Sequence, residues 1–260
     1  MGIICLATAA VIAIPLAGIL SAAEQAAAPA PLQDSICKGD VCDQKFQAKE
    51  ALQYYLPAEK ADPNNVHVLV CIARQYRHLM TDASSKEDKL KLANIALDYS
   101  KRAAAVGTSD AEAQLSPAIT FGKMMALLGK RDQIEASKKI KESAERAIRL
   151  DPNNDLAWHV LGRWHQVIAD VGTVTRTLGS LIYGSLPTST NENAVDCFQK
   201  AIALNPNRLM HYIELGRTYA QMGRDEDAKR MIKKGLAMPC KDKDDPDLKK
   251  RGRETLASLR

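Results

Sequence analysis

The sequence predicts an all-α, tetratricopeptide-like helical-hairpin solenoid of about four irregular units. Three observations predict it. Aromatics make up only 5% of the 260 residues and hydrophobic residues 46%, with Ala, Leu, Lys and Glu common, a balance that favours helix over sheet. Ala194, Phe198, Ala201 and Pro206 follow the Ala-x3-Phe-x2-Ala-x4-Pro spacing of the second helix of a tetratricopeptide unit. Finally, the breaks Asp62-Pro63-Asn64-Asn65, Asp151-Pro152-Asn153-Asn154 and Asn205-Pro206-Asn207 each precede a matching apolar pattern. With charged residues at 26%, wholesale disorder, collagen-like repeats and a polytopic membrane protein are excluded.

The chain opens on a separate segment. Residues 3–23 carry no charge, and as a helix they span about 30 Å, the thickness of a bilayer core. Residues 1–23 therefore read as a hydrophobic anchor or targeting segment. The rival to a membrane anchor is a secretory signal cut after Ser21-Ala22-Ala23, although the positive stretch that opens such signals is absent. The expected location is a membrane with the domain on the cytoplasmic side, or an organelle lumen or the exterior after cleavage near Ala23. Residues 24–43 read as a flexible Ala/Pro linker, and residues 44–260 as the repeat domain. Cys37 and Cys42 could pair only in an oxidising compartment; Cys71 and Cys197 lie inside apolar helical patterns as small hydrophobes.

The repeats follow in order. Ala51, Tyr55, Ala58 and Pro63 form a second-helix half, followed by Leu69, Ile72, Ala73 and Tyr76 of a first helix. The stretch 109–130 fits least well, with Pro117 at an early helical position. Ile140, Ala144, Ala147 and Pro152 form the next second helix, then Trp158, Leu161, Gly162 and His165 a first helix. After Pro206 come Tyr212, Leu215, Gly216 and Tyr219, then Ala228 and Ile232, and a closing helix is expected within 245–260. Pro152 and Pro206 are 54 residues apart, one period of about 34 plus an insertion of about 20 at 171–190. Further insertions are required near 80–90 and near 130. Small residues let paired helices approach, aromatics fill the space between units, and proline ends each second helix because it has no N–H to continue the turn.

With these breaks, the stretch SLPTSTNENAVDCFQKAIALNPNRL and the stretch LGRTYAQMGRDEDAK in view, the chain resembles the regulator of microtubule dynamics family over roughly residues 44–259. The resemblance implies a short, irregular tetratricopeptide-like domain and a non-enzymatic adaptor associated with microtubules or spindle poles. It also implies that some members are anchored to organelle membranes and bind lipid. It supplies no catalytic motif.

The residues themselves point the same way. No P-loop, Gly-rich dinucleotide turn, HExxH or paired CxxC occurs, so neither enzyme nor cofactor is expected. His159 and His165 are six apart and do not share a helical face as ligands at i and i+4 would, so no metal site is expected. Arg74, Arg163 and Arg217 each directly follow the small residue of a first helix, where side chains face the concave groove, and His159 lies one turn before Arg163. Stacked units would set these guanidinium groups along one channel able to grip a carboxylate or phosphate. The competing reading is that they pair with Asp or Glu of adjacent helices and merely shape the groove. The expected function is a scaffold for an acidic protein partner, with tubulin or microtubules as the named case; the alternatives are a membrane-anchored module that binds or transfers phospholipid and an organelle-lumen assembly factor, and nucleic acid is not expected. Residues 223–260 hold 12 Lys/Arg against 8 Asp/Glu and could add attraction to an acidic surface. Leu178, Leu181, Ile182 and Leu186 of the insert would cover an open end of the core or form a lid beside the groove.

Overall fold

The computed structural model describes residues 30–172 and 187–259. Their helices are α1 (Ala30–Gln44), α2 (Ala48–Ala61), α3 (Val66–Asp82), α4 (Lys86–Val106), α5 (Ala111–Met124), α6 (Lys130–Leu150), α7 (Asp155–Ala169), α8 (Asn191–Leu204), α9 (Leu209–Gln221), α10 (Asp225–Ala237) and α11 (Asp245–Ser258). No strand occurs among the described residues. Consecutive helices form five hairpins, α1/α2 to α9/α10, each packed on the next, and α11 covers α9 and α10.

The asparagine-rich breaks work by one local chemistry. Asp62, Asp151 and Asn205 each accept a hydrogen bond from the backbone N–H two residues on, at 3.3, 2.9 and 3.3 Å. Asn65 and Asn154 then cap α3 and α7, accepting from the N–H groups of Val68 and Ala157 at 3.1 and 3.0 Å. The same turns receive the aromatics of the following first helix: Trp158 Nε1 donates to the Pro152 carbonyl at 2.9 Å and the Tyr212 hydroxyl to that of Pro206 at 3.1 Å. Ser85, Asp110 and Thr190 cap α4, α5 and α8 in the same way as the asparagines.

Two of the three expected insertions become extra helical turns. Near 80–90 the chain extends α3 to Asp82 and makes α4 21 residues long. Near 130 a 3₁₀ turn, Met125–Leu127, leads into a 21-residue α6. Pro117 lies well inside α5, which explains the weak repeat signal there. The third insertion is only partly described, and Leu178, Leu181, Ile182 and Leu186 lie outside the described residues.

The linker expected at 24–43 requires correction. From Ala30 onward that stretch is helix α1, because Leu32 and Ile36 are buried against Leu52, Tyr55 and Ile72. An Ala/Pro-rich composition reads as linker only while its apolar residues have no partner, and α2 and α3 provide one. Among the described residues the array consequently has five hairpins, α1 completing the unit whose second helix carries Ala51, Tyr55 and Ala58. The anchor at residues 1–23 lies outside the described residues; among those described, no helix is long and apolar enough to cross a membrane.

The core runs along the array as linked clusters. Tyr55, Phe198, Leu69, Ile72, Leu115, Ile213 and Ile232 are fully buried, and Ala51, Ala73, Ala144, Ala157 and Ala201 are 0% exposed where helices meet. Gly216 marks a close approach of α9 to α10: a Cβ there would lie 2.6 Å from Ile232 Cγ1 and 3.0 Å from the Ala228 carbonyl oxygen. Gly223 ends α9 with φ of +71°, the left-handed conformation that lets the Arg224 N–H reach back to the Tyr219 carbonyl at 2.9 Å.

Candidate functional site

The first helices α3, α5, α7 and α9 line a concave groove of about 1550 Å³, closed on one side by α11 and by residues 241–245. Arg74, His159 and Arg163 line it. Arg217 does not; it turns back toward Glu214, three residues earlier on α9. A repeat position sets where a Cα sits, while the nearest carboxylate decides where a long side chain points.

All of the predicted arginines have acidic partners. Arg74 Nη1 donates to Asp43 at 2.6 Å and Nη2 to Glu112 at 2.5 Å, joining α1, α3 and α5. Arg163 donates to Glu214 Oε2 at 2.9 Å and to Gln166. Arg217 donates to both carboxylate oxygens of Glu214, at 3.1 and 2.8 Å. Arg251 of α11 stands 4.0 Å from the same group. Glu214 is 1% exposed, so a single buried carboxylate faces three guanidinium groups. Burial pushes the Arg163 pKa down, with Arg217 and Arg251 adding to the effect and Glu214 opposing it.

Arg77, which sequence spacing did not single out, is the more unusual cation. It is 5% exposed and lines the groove, and its Nη1 donates to the hydroxyls of Ser116 at 3.2 Å and Thr120 at 3.1 Å. Among the described residues no carboxylate lies within ion-pair distance of it. Burial, helped by Arg74, pushes its pKa down to about 10, so it stays charged at neutral pH. Lys123 nearby donates to Asp244 at 2.7 Å and Thr81 at 3.0 Å. No sequence signal could have found Arg77, because Ser116 and Thr120 lie 39 and 43 residues away.

His159 is buried and is neither a free donor nor a groove-mouth contact. Its Nδ1 is 3.1 Å from His211 Nδ1, and His211 Nε2 is 2.9 Å from Asp155 Oδ2, which also accepts from Arg208 at 3.0 Å. Burial, with His211, Arg163 and Arg208 adding to it, pushes His159 well below the ordinary range, so it is neutral at neutral pH. Ile119, Met125, Ile134, Val160 and Val167 add an apolar lining, with Val160 and Val167 on the same helix as His159 and Arg163.

The basic residues of the carboxyl-terminal region are largely engaged locally. Lys229 pairs with Glu226 at 2.8 Å, Arg230 with Asp227, and Lys234 Nζ lies 4.5 Å from the centre of the Tyr212 ring.

The family model described as RMD1-3, regulator of microtubule dynamics protein 1-3, matches residues 37–260. Regulator of microtubule dynamics protein 1 of Mus musculus is 25% identical over 243 residues, covering 93% of this chain and 79% of its own length. The protein 1 of Bos taurus is 27% identical over 75% of this chain, which spans 62% of the bovine sequence. Protein 3 of Xenopus laevis is 26% identical over 74% of this chain, which spans 42% of the frog sequence. Among solved structures, a thermophilic TPR protein from Thermus thermophilus superposes with a TM-score of 0.63 at 18% identity, covering 87% of this chain and 99% of its own. That likeness concerns the fold alone.

Proposed function

Since the chain belongs to the regulator of microtubule dynamics family, we propose that it is a non-enzymatic scaffold whose concave groove holds an acidic segment of a protein partner. The observation that carries this reading is the charge imbalance at Glu214. One buried carboxylate answers Arg163, Arg217 and Arg251, and the surplus positive charge is exposed to the groove through Arg163 and Arg251. An incoming carboxylate would relieve the repulsion among the guanidinium groups and gain charge-assisted hydrogen bonds. Arg77 supports the reading from α3, where, among the described residues, its hydrogen bonds go to hydroxyls and not to a carboxylate. The partner that the family's name suggests is a microtubule component, and acidic tubulin segments have the required chemistry.

Arg251 offers the cleanest test because its side chain is 43% exposed and its contact with Glu214 is long, so its loss should leave the fold intact. Arg251→Ala should weaken co-sedimentation with polymerised tubulin about three- to tenfold, and rising salt should erase the difference. Equal pelleting of both proteins at low salt, or pelleting of neither, would overturn the reading.

The apolar wall of Ile119, Met125, Ile134, Val160 and Val167 favours a second ligand, an anionic phospholipid with its chains on that wall and its headgroup toward Arg163. Native mass spectrometry of the purified chain distinguishes the two, since a co-purifying phospholipid would displace the peptide reading. Attachment of the chain to a membrane through residues 3–23, with the array on the cytoplasmic side, is likewise our proposal. Fractionation with mass determination of the mature amino terminus tests it, and cleavage near Ala23 would sink it.

A further inference from the structure

Away from the groove, α1, α2 and α3 bring together side chains that the scaffold reading does not use. His67 and Cys71 lie one turn apart on the same face of α3, and Asp40 reaches them from α1. Asp40 Oδ1 is 2.9 Å from His67 Nε2. Cys71 Sγ is 3.6 Å from that same nitrogen and 3.9 Å from Nδ1. All three donor atoms lie within 4.8 Å of one another. We propose that Asp40, His67 and Cys71 form a binding site for a zinc-class divalent ion that fastens α1 to the repeat array.

The spacing suits the ion. Tetrahedral zinc with ordinary bonds to sulfur, imidazole and carboxylate has an N–S edge of about 3.6 Å and an N–O edge of about 3.3 Å. The observed separations are 3.6 and 2.9 Å, so the carboxylate must withdraw by about 0.4 Å, and the imidazole must turn until Nε2 points between sulfur and oxygen, because Sγ also lies 3.9 Å from Nδ1. The donor set of thiolate, imidazole and carboxylate is the one that zinc and its neighbours take, and it neutralises a divalent charge. Cys71 would release its thiol proton to solvent as the ion binds.

The chief competing chemistry is a Cys-His-Asp nucleophilic relay, and the geometry argues against it. A relay uses one ring nitrogen toward the thiol and the other toward the carboxylate. Here Nε2 is the nearer nitrogen to both, so the thiol and the carboxylate are not divided between the two ring nitrogens. Cys71 is also 1% exposed and closed to any substrate. An ion could still enter, because the His67 and Asp40 side chains are 53% and 35% exposed, and water could fill the fourth position. The Tyr55 hydroxyl donates to Asp40 Oδ1 at 2.6 Å and steadies the carboxylate, a role commonly filled beside metal ligands. Sequence spacing misses this cluster because Asp40 stands 27 residues from His67.

Cobalt(II) titration of the purified, chelator-stripped full chain tests the site. One equivalent should produce a cobalt–thiolate charge-transfer band and the visible bands of a four-coordinate ion, all abolished by zinc. His67→Ala and Asp40→Asn should each weaken binding about tenfold or more, and Cys71→Ser should remove the thiolate band. Because Cys71 is buried, the decision rests on His67→Ala, whose exposed position should leave helicity unchanged. A chain carrying Cys5→Ser, Cys37→Ser, Cys42→Ser and Cys240→Ser together should keep the band. The proposal is overturned if the parent shows no band at one equivalent, if the band survives His67→Ala with parent affinity, or if it disappears when Cys5, Cys37, Cys42 and Cys240 are replaced.

Discussion

Glu214 is the residue on which the groove's electrostatics depend. Its carboxylate is buried among Arg163, Arg217 and Arg251, whose side chains are 30%, 25% and 43% exposed. Removing the carboxylate strands like charges together, while their partial exposure lets water screen them. Glu214→Ala should therefore cost about 2–3 kcal/mol, at the low end for a broken buried pair. A denaturant midpoint that falls with unchanged slope would register it; an unchanged midpoint would show the arginines to be fully solvated. The histidines make a separate prediction. Burial pushes His78 down to about 4, with Lys123 and Arg77 reinforcing it and Asp43 and Asp244 opposing. His159 is pushed well below its usual range by burial and by the charge of His211. A base depressed in the folded state stays neutral while the unfolded chain takes up its proton. Stability should then decline as pH falls below about 6.5, and for His78 the decline ends near its folded value. Between pH 6.5 and 5 the His78 share is about 1–2 kcal/mol. Denaturation at pH 7 and 5 checks this, and His78→Gln should flatten the slope.

At the scale of elements, close approach decides which helices pair. Gly216 on α9 meets Ile232 and the α10 backbone with no room for a methyl group. Backbone carbonyl cannot give way as a side chain can, so Gly216→Ala should destabilise by about 1–3 kcal/mol despite alanine's better helix propensity. A thermal melt that rises instead would mean that α9 and α10 shift apart freely. Helix α1 makes the opposite case, an element of weak intrinsic pattern held by its neighbours. Deleting residues 1–44 uncovers Leu52, Tyr55 and Ile72, all buried beneath it. The shortened chain should bind a hydrophobic dye and melt at lower temperature; an unchanged melt would make α1 an appendage.

For the whole molecule, stability is a chain of neighbour contacts, and the ends matter because each has only one neighbour. A chain ending at Gly223 would lose α10 and α11 and expose Ile213, Leu215 and Tyr219, which are buried. Its circular dichroism should fall by more than the share of residues removed, because α9 frays as well. A loss merely proportional to length would show α9 to be stable without its cover. Truncation there is thus a poor probe of the carboxyl-terminal basic residues, since it removes core together with charge. Point changes at Lys233 or Lys250 separate the two.

Local signals determined much of this protein from sequence alone. The Asp-Pro-Asn-Asn breaks, the small residues at Ala73, Gly162 and Gly216, and the proline stops act within a turn or two of themselves, so their meaning survives without a tertiary structure. They located α2, α3 and α6 to α10, the closing helix and the first-helix positions of Arg74, Arg163 and Arg217. What only the tertiary structure decided are the matters settled by distant partners. Residues 30–43 are helix because Leu32 and Ile36 find Leu52 and Ile72. Arg217 pairs with Glu214 without lining the groove, whereas Arg77 lines it beside Ser116 and Thr120. Asp40 meets His67 and Cys71 only when α1 docks on α3. Helix formation and capping are short-range and are written in neighbouring residues. Burial and charge pairing depend on side chains tens of residues away, whose proximity the folded chain alone creates.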